Sequence, residues 1–328
     1  MMIQNLKWTI LLTSALIIFS CNTSEQKEVP TTETTEKVEL KTEEKTIEIN
    51  GVQHYFRIKG SGEPMLILHG GPGLSHNYML PYFDELAADY QLIFFDQRGG
   101  GKTDFPKDTS SINMDAFVED IEAIRKHFNI EKMALLGHSW GSILALNYVA
   151  KYQNHVNQLV LVSPAPATTK FYEEMVSNMH KKRTEEETKE LVQIMMSKAF
   201  DKRETEAFTK AMKIGDKVNL YDPSKIDELY ELHQYTQETA TKFWFTSNLM
   251  ERHFFDYNVV DKIKEITVPT LIVIGDMDNV PFASSQLIAD NLENARLEII
   301  KSTGHYPFFE DNKAFTNVLT NYFNPEYE

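Results

Sequence analysis

The pentapeptide GHSWG, residues 137–141, decides how this chain is interpreted. An apolar run, Met133–Leu136, precedes it, and a stretch with helical spacing, Ser142–Tyr152, follows it. A G-x-S-x-G sequence between a strand and a helix is typical of a sharp turn that exposes the serine hydroxyl, and its glycines relieve crowding in that turn. We therefore predict that Ser139 is a nucleophile and that the Trp140 amide helps to stabilise an oxyanion.

Short apolar runs on both sides of this motif predict a buried sheet. Continuous apolar runs of this length suit parallel strands that are covered on both faces. They are Met65–Leu68, Leu92–Phe95, Met133–Leu136, Leu159–Val162, Leu271–Ile274 and Leu297–Ile300. Helical stretches such as Met114–His127 alternate with them, and two further strands, residues 46–49 and 52–58, are joined by the hairpin signal Asn50-Gly51. The pattern predicts an α/β fold with a mostly parallel central sheet and helices on both faces.

The stretch from residue 166 to residue 256 interrupts this alternation. It is polar and methionine-rich, it has helical spacing, and it contains no run typical of a buried strand. Ligand sites in open parallel sheets lie at the carboxyl ends of the strands, so an insertion that emerges there would cover the site. We predict a core of residues 46–165 and 257–328 with an inserted helical cap of residues 166–256.

A serine hydroxyl needs an adjacent base to act as a nucleophile at neutral pH. In folds of this kind the acid and then the histidine follow the serine along the chain. His305 comes just after the last predicted strand and is the expected base. Asp276 and Asp278 both follow the strand before it, and the spacing GDMD favours Asp278 as the acid, with Asp276 shaping the loop.

The glycine-rich segment HGGPG, residues 69–73, follows another predicted strand. A tetrahedral intermediate needs backbone N–H donors, and a segment without side chains lets the backbone approach closely. Gly70 is the first choice for the second donor of the oxyanion hole and Gly71 the alternative. Pro72 has no N–H group and cannot serve.

Three motifs together resemble those of the prolyl iminopeptidase family of α/β-hydrolases. They are HGGPG at residues 69–73, DQRGGG at residues 96–101 and GHSWGS at residues 137–142. The resemblance runs from about residue 49 to the C-terminus, outside the cap. It implies an α/β-hydrolase fold and a serine peptidase that removes an N-terminal residue, often proline, from short peptides without a metal or cofactor. Asp96 and Arg98 are expected to organise their loop through charge-assisted hydrogen bonds.

The same resemblance assigns a substrate-binding carboxylate to the cap. Family members hold the free amine of the substrate with cap glutamates, and the segment NLMERHFF, residues 248–255, places Glu251 in that position. A second such glutamate has no clear counterpart, with Glu228, Glu231 and Glu238 all possible. Hydrolysis of small acyl esters therefore stays open as an alternative, because the same catalytic residues serve both reactions.

The N-terminus has the features of an export signal. A short apolar run, Trp8–Phe19, follows Lys7 and ends at Cys21, which resembles the lipidation site of bacterial lipoproteins. We expect a signal peptide over residues 1–20, lipidation of Cys21, a disordered tether over residues 21–45, and a catalytic domain held outside the cytoplasm by a lipid anchor only. The oligomeric state is left open.

Composition excludes several other classes of function. The formal net charge is −15 over 328 residues, which argues against nucleic acid as a partner because that binding depends on Lys and Arg. Cys21 is the only cysteine, so neither an internal disulfide nor a zinc site built on several thiolates can form. We expect a small peptide or acyl substrate.

Overall fold

The computed structural model describes residues 40–253 and 257–324, and within them eight strands form a single sheet. The strands are β1 (Thr42–Ile49), β2 (Val52–Lys59), β3 (Glu63–Leu68), β4 (Tyr90–Phe95), β5 (Met133–His138), β6 (Val156–Val162), β7 (Thr270–Gly275) and β8 (Ala295–Ile300). Their order is β1-β2-β4-β3-β5-β6-β7-β8. The contacts of β2 with β1 and β4 are antiparallel, and all other neighbouring strands are parallel. The predicted α/β fold with a mostly parallel sheet is confirmed.

Twelve α-helices lie within the described residues. They are α1 (Met114–His127), α2 (Trp140–Tyr152), α3 (Tyr172–Lys182), α4 (Glu185–Met195), α5 (Lys198–Asp201), α6 (Thr205–Asp216), α7 (Ile226–Leu232), α8 (Gln237–Glu251), α9 (Val260–Ile263), α10 (Phe282–Asp290), α11 (Pro307–Glu310) and α12 (Asn312–Phe323). None of the described helices is long and apolar enough to cross a membrane.

Two apolar clusters cover the two faces of the sheet, because successive side chains of a strand point to opposite faces. In β5, Met133 and Leu135 pack in the cluster that includes α1 and α2, whereas Ala134 and Leu136 pack in the cluster that includes α11 and α12. The strands are therefore buried on both faces, which explains why they appear in the sequence as continuous apolar runs.

The hairpin between β1 and β2 turns at Asn50 and Gly51, whose φ angles are 48° and 76°. The first strand differs from the prediction, because it begins at Thr42 and not at residue 46. Residues 42–45 therefore belong to the sheet and not to the predicted tether. This edge strand is largely exposed, so it carries polar side chains, and polar residues predicted a tether. Its backbone nevertheless pairs with β2 from Thr42 onward. The predicted signal peptide, Cys21 and the rest of the tether lie outside the described residues.

Helices α3 to α8 lie between β6 and β7, within the predicted cap segment. The two ends of this insertion meet at its base, where Thr168 and Asn258 form an antiparallel bridge. Backbone hydrogen bonds from Thr169 to Tyr257 (3.1 Å) and from Val259 to Ala167 (2.9 Å) extend that contact. Apolar side chains of the cap, among them Phe208 on α6, pack in the same cluster as α11 and α12. The cap is thus joined to the core both through its base and through a shared apolar interior.

Candidate active site

Ser139 lies between the last residue of β5 and the first residue of α2, in an uncommon backbone conformation. Its φ and ψ angles are 54° and −119°. The neighbouring backbone holds it there, since its N–H donates to the Val162 carbonyl (2.9 Å) and its carbonyl accepts from Ser142 N (3.0 Å) and Ala165 N (3.2 Å). Backbone strain of this kind persists only where the surrounding structure over-determines it, and it is frequent at functional sites.

The two glycines of the pentapeptide are required by close backbone contacts. A Cβ atom on Gly137 would collide with the Gly141 carbonyl, and a Cβ atom on Gly141 would collide with the Leu68 carbonyl of β3. The turn therefore folds back on itself and packs directly against the neighbouring strand. This is the physical reason for the G-x-S-x-G pattern in this chain.

His305 follows β8 and contacts Asp278, which follows β7. The Nδ1 atom of His305 lies 3.0 Å from both carboxylate oxygens of Asp278. Only 12% of the His305 side chain and 4% of the Asp278 side chain are exposed. Burial lowers the pKa of His305, but the charge and hydrogen bond of Asp278 outweigh it and raise this pKa above its ordinary value. Burial raises the pKa of Asp278, but His305 outweighs that effect and the pKa lies below its ordinary value. The pair is thus arranged to favour an imidazolium next to a carboxylate.

Asp276 lies away from this pair. It is exposed, its Oδ1 accepts a hydrogen bond from Ser302 N (2.8 Å), and its Oδ2 lies 3.7 Å from Lys301 Nζ. The structure therefore brings Asp278, and not Asp276, to His305.

In the glycine segment after β3, the Gly70 amide is not placed as expected for the second oxyanion donor. The amide of Gly70, our first choice as an oxyanion donor, donates to the Tyr78 hydroxyl (2.6 Å) and is engaged in the protein itself. Gly71 lines the same cavity as Ser139, and no hydrogen bond of its N–H is found among the described residues. Because a tyrosine eight residues along the chain occupies the Gly70 donor, the geometry favours Gly71, the alternative of the sequence-based expectation, together with Trp140.

Tyr78 and His138 connect three segments that carry predicted catalytic residues, and no sequence motif indicated this connection. The Tyr78 hydroxyl lies 2.7 Å from His138 Nδ1, and His138 Nε2 lies 2.9 Å from the His305 carbonyl. Because a carbonyl can only accept, Nε2 carries the proton and Tyr78 donates to Nδ1. Burial and the nearby His305 lower the pKa of His138 to about 3, so it stays neutral. The glycine segment, the serine turn and the His305 loop are thus joined by one chain of hydrogen bonds.

Gln97 joins the glycine segment to the residue after the nucleophile. Its Nε2 donates to the His69 carbonyl (2.8 Å), and its Oε1 accepts from the indole N–H of Trp140 (2.8 Å). Its neighbours organise the loop through charge-assisted hydrogen bonds. Asp96 accepts from the backbone and ring of His76, and Arg98 makes two contacts with Asp120.

Ser139 and His305 line one cavity of about 260 Å³. The cavity lies beneath the cap, and its walls are mostly apolar. They consist of Gly71, Pro72, Ser139, Trp140, Ile143, Ala165, Pro166, Tyr172, Met175, Met179, Asn219, Asp278, Asn279, Val280 and His305. Ligand pockets for drug-sized molecules enclose about 300–1,000 Å³, so this cavity suits a small apolar group next to Ser139.

The structure does not bring the predicted amine-binding glutamate to this cavity. Glu251 is exposed at the end of α8 and is absent from the cavity walls. Glu228, Glu231 and Glu238 are exposed as well, and Glu238 pairs with Lys242 at 2.7 Å. Among the described residues, Asp278 is the only carboxylate that lines the cavity, and it is already engaged with His305. The described residues contain no group of three or more His, Cys, Asp or Glu side chains placed to hold a metal ion.

Comparisons with known proteins identify the fold family. A sequence model of the alpha/beta hydrolase fold matches residues 63–312. The chain is 29% identical to a proline iminopeptidase of Saccharolobus solfataricus over 299 residues, which cover 85% of this chain and 90% of that relative. It is 26% identical to a proline iminopeptidase of Thermoplasma volcanium, with 83% and 94% covered.

Two solved structures share the fold. A proline iminopeptidase of Mycobacterium smegmatis superposes with a TM-score of 0.67 at 19% identity, covering 85% of this chain and 97% of that one. A meta-cleavage product hydrolase of Pseudomonas fluorescens also gives a TM-score of 0.67, at 24% identity, covering 86% and 98%.

Proposed function

The chain belongs to the alpha/beta hydrolase fold family and is a serine hydrolase, and we propose that it releases proline or another small apolar residue from the N-terminus of short peptides. The observation that carries the proposal is the meeting of Ser139 and His305 in one small cavity, with Nδ1 of His305 held 3.0 Å from Asp278. These contacts support Ser139 as nucleophile, His305 as base and Asp278 as the carboxylate that orients the base, which are the three roles that acyl transfer requires.

In the first half of the proposed reaction, the Ser139 hydroxyl attacks the carbonyl carbon of the scissile amide. His305 takes the hydroxyl proton on Nε2, because its Nδ1–H is directed to Asp278. The charge that develops on the carbonyl oxygen is stabilised by the amides of Gly71 and Trp140. Asp278 stabilises the imidazolium, consistent with the raised pKa of His305.

In the second half, the imidazolium returns its proton to the leaving amine, and the shortened peptide departs. The acyl group stays on Ser139 as an ester. Water then attacks this ester with His305 as the general base, which releases the amino acid and restores the serine hydroxyl. No cofactor enters either half of the reaction.

Two observations support an N-terminal residue as the acyl part of the substrate. Relatives that span most of this chain are named proline iminopeptidases. The cavity is small and mostly apolar, with Ile143, Met175 and Val280 among its walls. A short apolar residue matches that volume better than a long or charged one.

Hydrolysis of small acyl esters is the second candidate function. It is favoured by the walls of the cavity, where Asp278 is the only carboxylate among the described residues and is already engaged with His305. A substrate without a free amine needs no carboxylate partner, whereas a buried cationic amine does.

Turnover of a matched series separates the two candidates. Prolyl- and alanyl-naphthylamide should be cleaved, N-acetylated forms of both should be cleaved much more slowly, and Ser139→Ala should cleave none of them. Cleavage of p-nitrophenyl acetate and butyrate without any cleavage of the free-amine arylamides would reject the peptidase proposal in favour of the esterase. If Ser139→Ala keeps both the arylamide and the ester activity, both candidate functions are rejected.

A further inference from the structure

Lys182 joins the cap to the loop between β7 and α10, here called the acid loop. It is the last residue of α3, and it lies three and seven positions after Met179 and Met175, which line the catalytic cavity. Residues with this spacing share one face of a helix, so Lys182 continues the face of α3 that covers the cavity. Its Nζ donates to the Met277 carbonyl (2.6 Å). Helix α3 therefore contacts the acid loop directly, one residue before Asp278.

The position of Met277 limits how far the charge of Lys182 lies from the acid. Because Met277 directly precedes Asp278, standard covalent dimensions place the ammonium nitrogen within about 6 Å of the Asp278 Cα atom and about 9 Å of its carboxylate. This is no greater than the Debye length of about 10 Å at 0.1 M salt, so dissolved ions screen the interaction only in part. No carboxylate of the described part of the chain forms an ion pair with Lys182, so its charge is not neutralised at contact distance. A positive charge therefore lies near the acid.

The charges around His305 act in opposite directions. The titratable groups that neighbour His305 are, by element, Asp278 on the acid loop, Asp216 on α6, Lys182 on α3, His138 before the nucleophile and Glu310 on α11. Burial lowers the pKa of His305, and the charge and hydrogen bond of Asp278 raise it. From the cap, Asp216 raises this pKa further and Lys182 lowers it. Lys182 is thus a cap residue whose charge favours the neutral form of the base.

We propose that Lys182 is a positioning residue of this hydrolase, through which α3 holds the acid loop by the Met277 carbonyl and keeps a positive charge near the Asp278–His305 pair. The inference rests on the proposed function, because it takes Asp278 as the acid and His305 as the base. The held carbonyl keeps Asp278 in line with His305. The charge increases the fraction of His305 that is neutral and able to accept the serine proton at neutral pH. The cap helix that covers the cavity thus also acts on the base.

The rate at which diisopropyl fluorophosphate labels Ser139, followed against pH, tests this on the whole protein. In that reaction the serine oxygen forms a bond to phosphorus, fluoride leaves, and His305 takes the hydroxyl proton. The rate therefore depends on the base and not on which peptide or ester the enzyme prefers. Lys182→Met keeps nearly the same length but has neither the charge nor the donor. Because Lys182 lowers the pKa of His305, this variant should move the midpoint of the acid decrease up by about 0.3–0.5 pH unit at low ionic strength. Loss of the hydrogen bond to the acid loop should also lower the plateau rate about two- to five-fold.

Three further measurements separate the charge from the hydrogen bond and from general effects. Lys182→Arg keeps both the charge and a donor, so its midpoint should stay within about 0.1 pH unit of the unaltered protein. Lys181→Met removes the same charge from the neighbouring exposed position of α3, and it should leave the midpoint within about 0.1 pH unit as well. In about 1 M NaCl the Debye length falls to about 3 Å, so the midpoints of Lys182→Met and the unaltered protein should converge while the lower plateau remains.

An unchanged midpoint in Lys182→Met at low salt, or an equal shift in Lys181→Met, overturns the inference, because a side chain that only stabilises the fold would lower the rate alike at every pH. Lys182→Gln supplies the uncharged variant if the methionine variant does not fold. A protein that is labelled and shows the expected shifts yet cleaves no arylamide would refute the proposed peptidase reaction and leave the role of Lys182 standing. Failure of the reagent to label the unaltered protein would overturn both.

Discussion

Replacing Asp278 by asparagine should nearly abolish turnover while leaving the shape of the site in place. The Asp278 carboxylate contacts His305 Nδ1 with both oxygens at 3.0 Å. An asparagine amide can donate to Nδ1, which would leave the proton on Nε2 and remove the lone pair that must accept the serine proton. The variant also loses the charge that stabilises the imidazolium in a site where both side chains are almost fully buried. By comparison with other serine triads we expect kcat to fall about 10⁴-fold, or about 5 kcal/mol in the activation barrier.

Asp276→Asn is the matched control, two residues away in the same loop. Asp276 is exposed and accepts a hydrogen bond from Ser302 N, which an asparagine oxygen can also accept. Its kcat should stay within about three-fold of the unaltered protein, as for most surface substitutions. The assay is steady-state hydrolysis of whichever arylamide or ester the protein cleaves best, with thermal unfolding of each variant measured alongside. Asp278 is not the acid if Asp278→Asn keeps more than a tenth of kcat, or if Asp276→Asn lowers kcat as much as Asp278→Asn does.

Three further predictions use other parts of the molecule. The proposed mechanism needs His305 in its neutral form, and the pKa of His305 is raised above the ordinary value of about 6.5. As the pH falls through this pKa, kcat/KM should therefore begin to decrease, by about ten-fold per pH unit. A decrease that begins only well below pH 6 would contradict this. The Glu310→Ala variant leaves the N–H groups of Gly304, Tyr221 and Asp222 without their acceptor. It should lower the free energy of unfolding by about 2–4 kcal/mol and lower kcat about ten-fold. Denaturant unfolding and initial rates measure the two effects, with Glu228→Ala as the control. We also propose that Cys21 is lipidated, so cells given a radioactive fatty acid should label the protein but not its Cys21→Ala variant, and equal labelling of both would exclude the anchor.

The sequence could predict those parts of the site that short-range patterns encode. The strands are continuous apolar runs and the serine turn is bounded by two glycines, so both follow from local spacing. The start of β1 was missed because its outward side chains are polar, and only pairing with β2 shows that Thr42 belongs to the sheet. Gly70 was preferred over Gly71 because nothing local to HGGPG reveals that the Tyr78 hydroxyl already accepts from the Gly70 amide.

Contacts between residues far apart in the chain account for the remainder. Tyr78 and His138 are 60 positions apart, and His138 and His305 are 167 apart, so no motif could have joined them.

In the proposed mechanism the cap helps to position the base, because it contacts the loop that carries His305. The His305 N–H donates to the Asn219 carbonyl at 2.7 Å, and a Cβ atom on Gly304 would collide with that same carbonyl. Glu310 then joins Gly304 to the cap residues that follow Asn219, because one of its carboxylate oxygens serves each side. A displacement of this cap segment would move the base itself and not only the walls of the cavity. Changes at the cap should consequently alter kcat together with KM, which distinguishes this arrangement from a cap that only selects substrates.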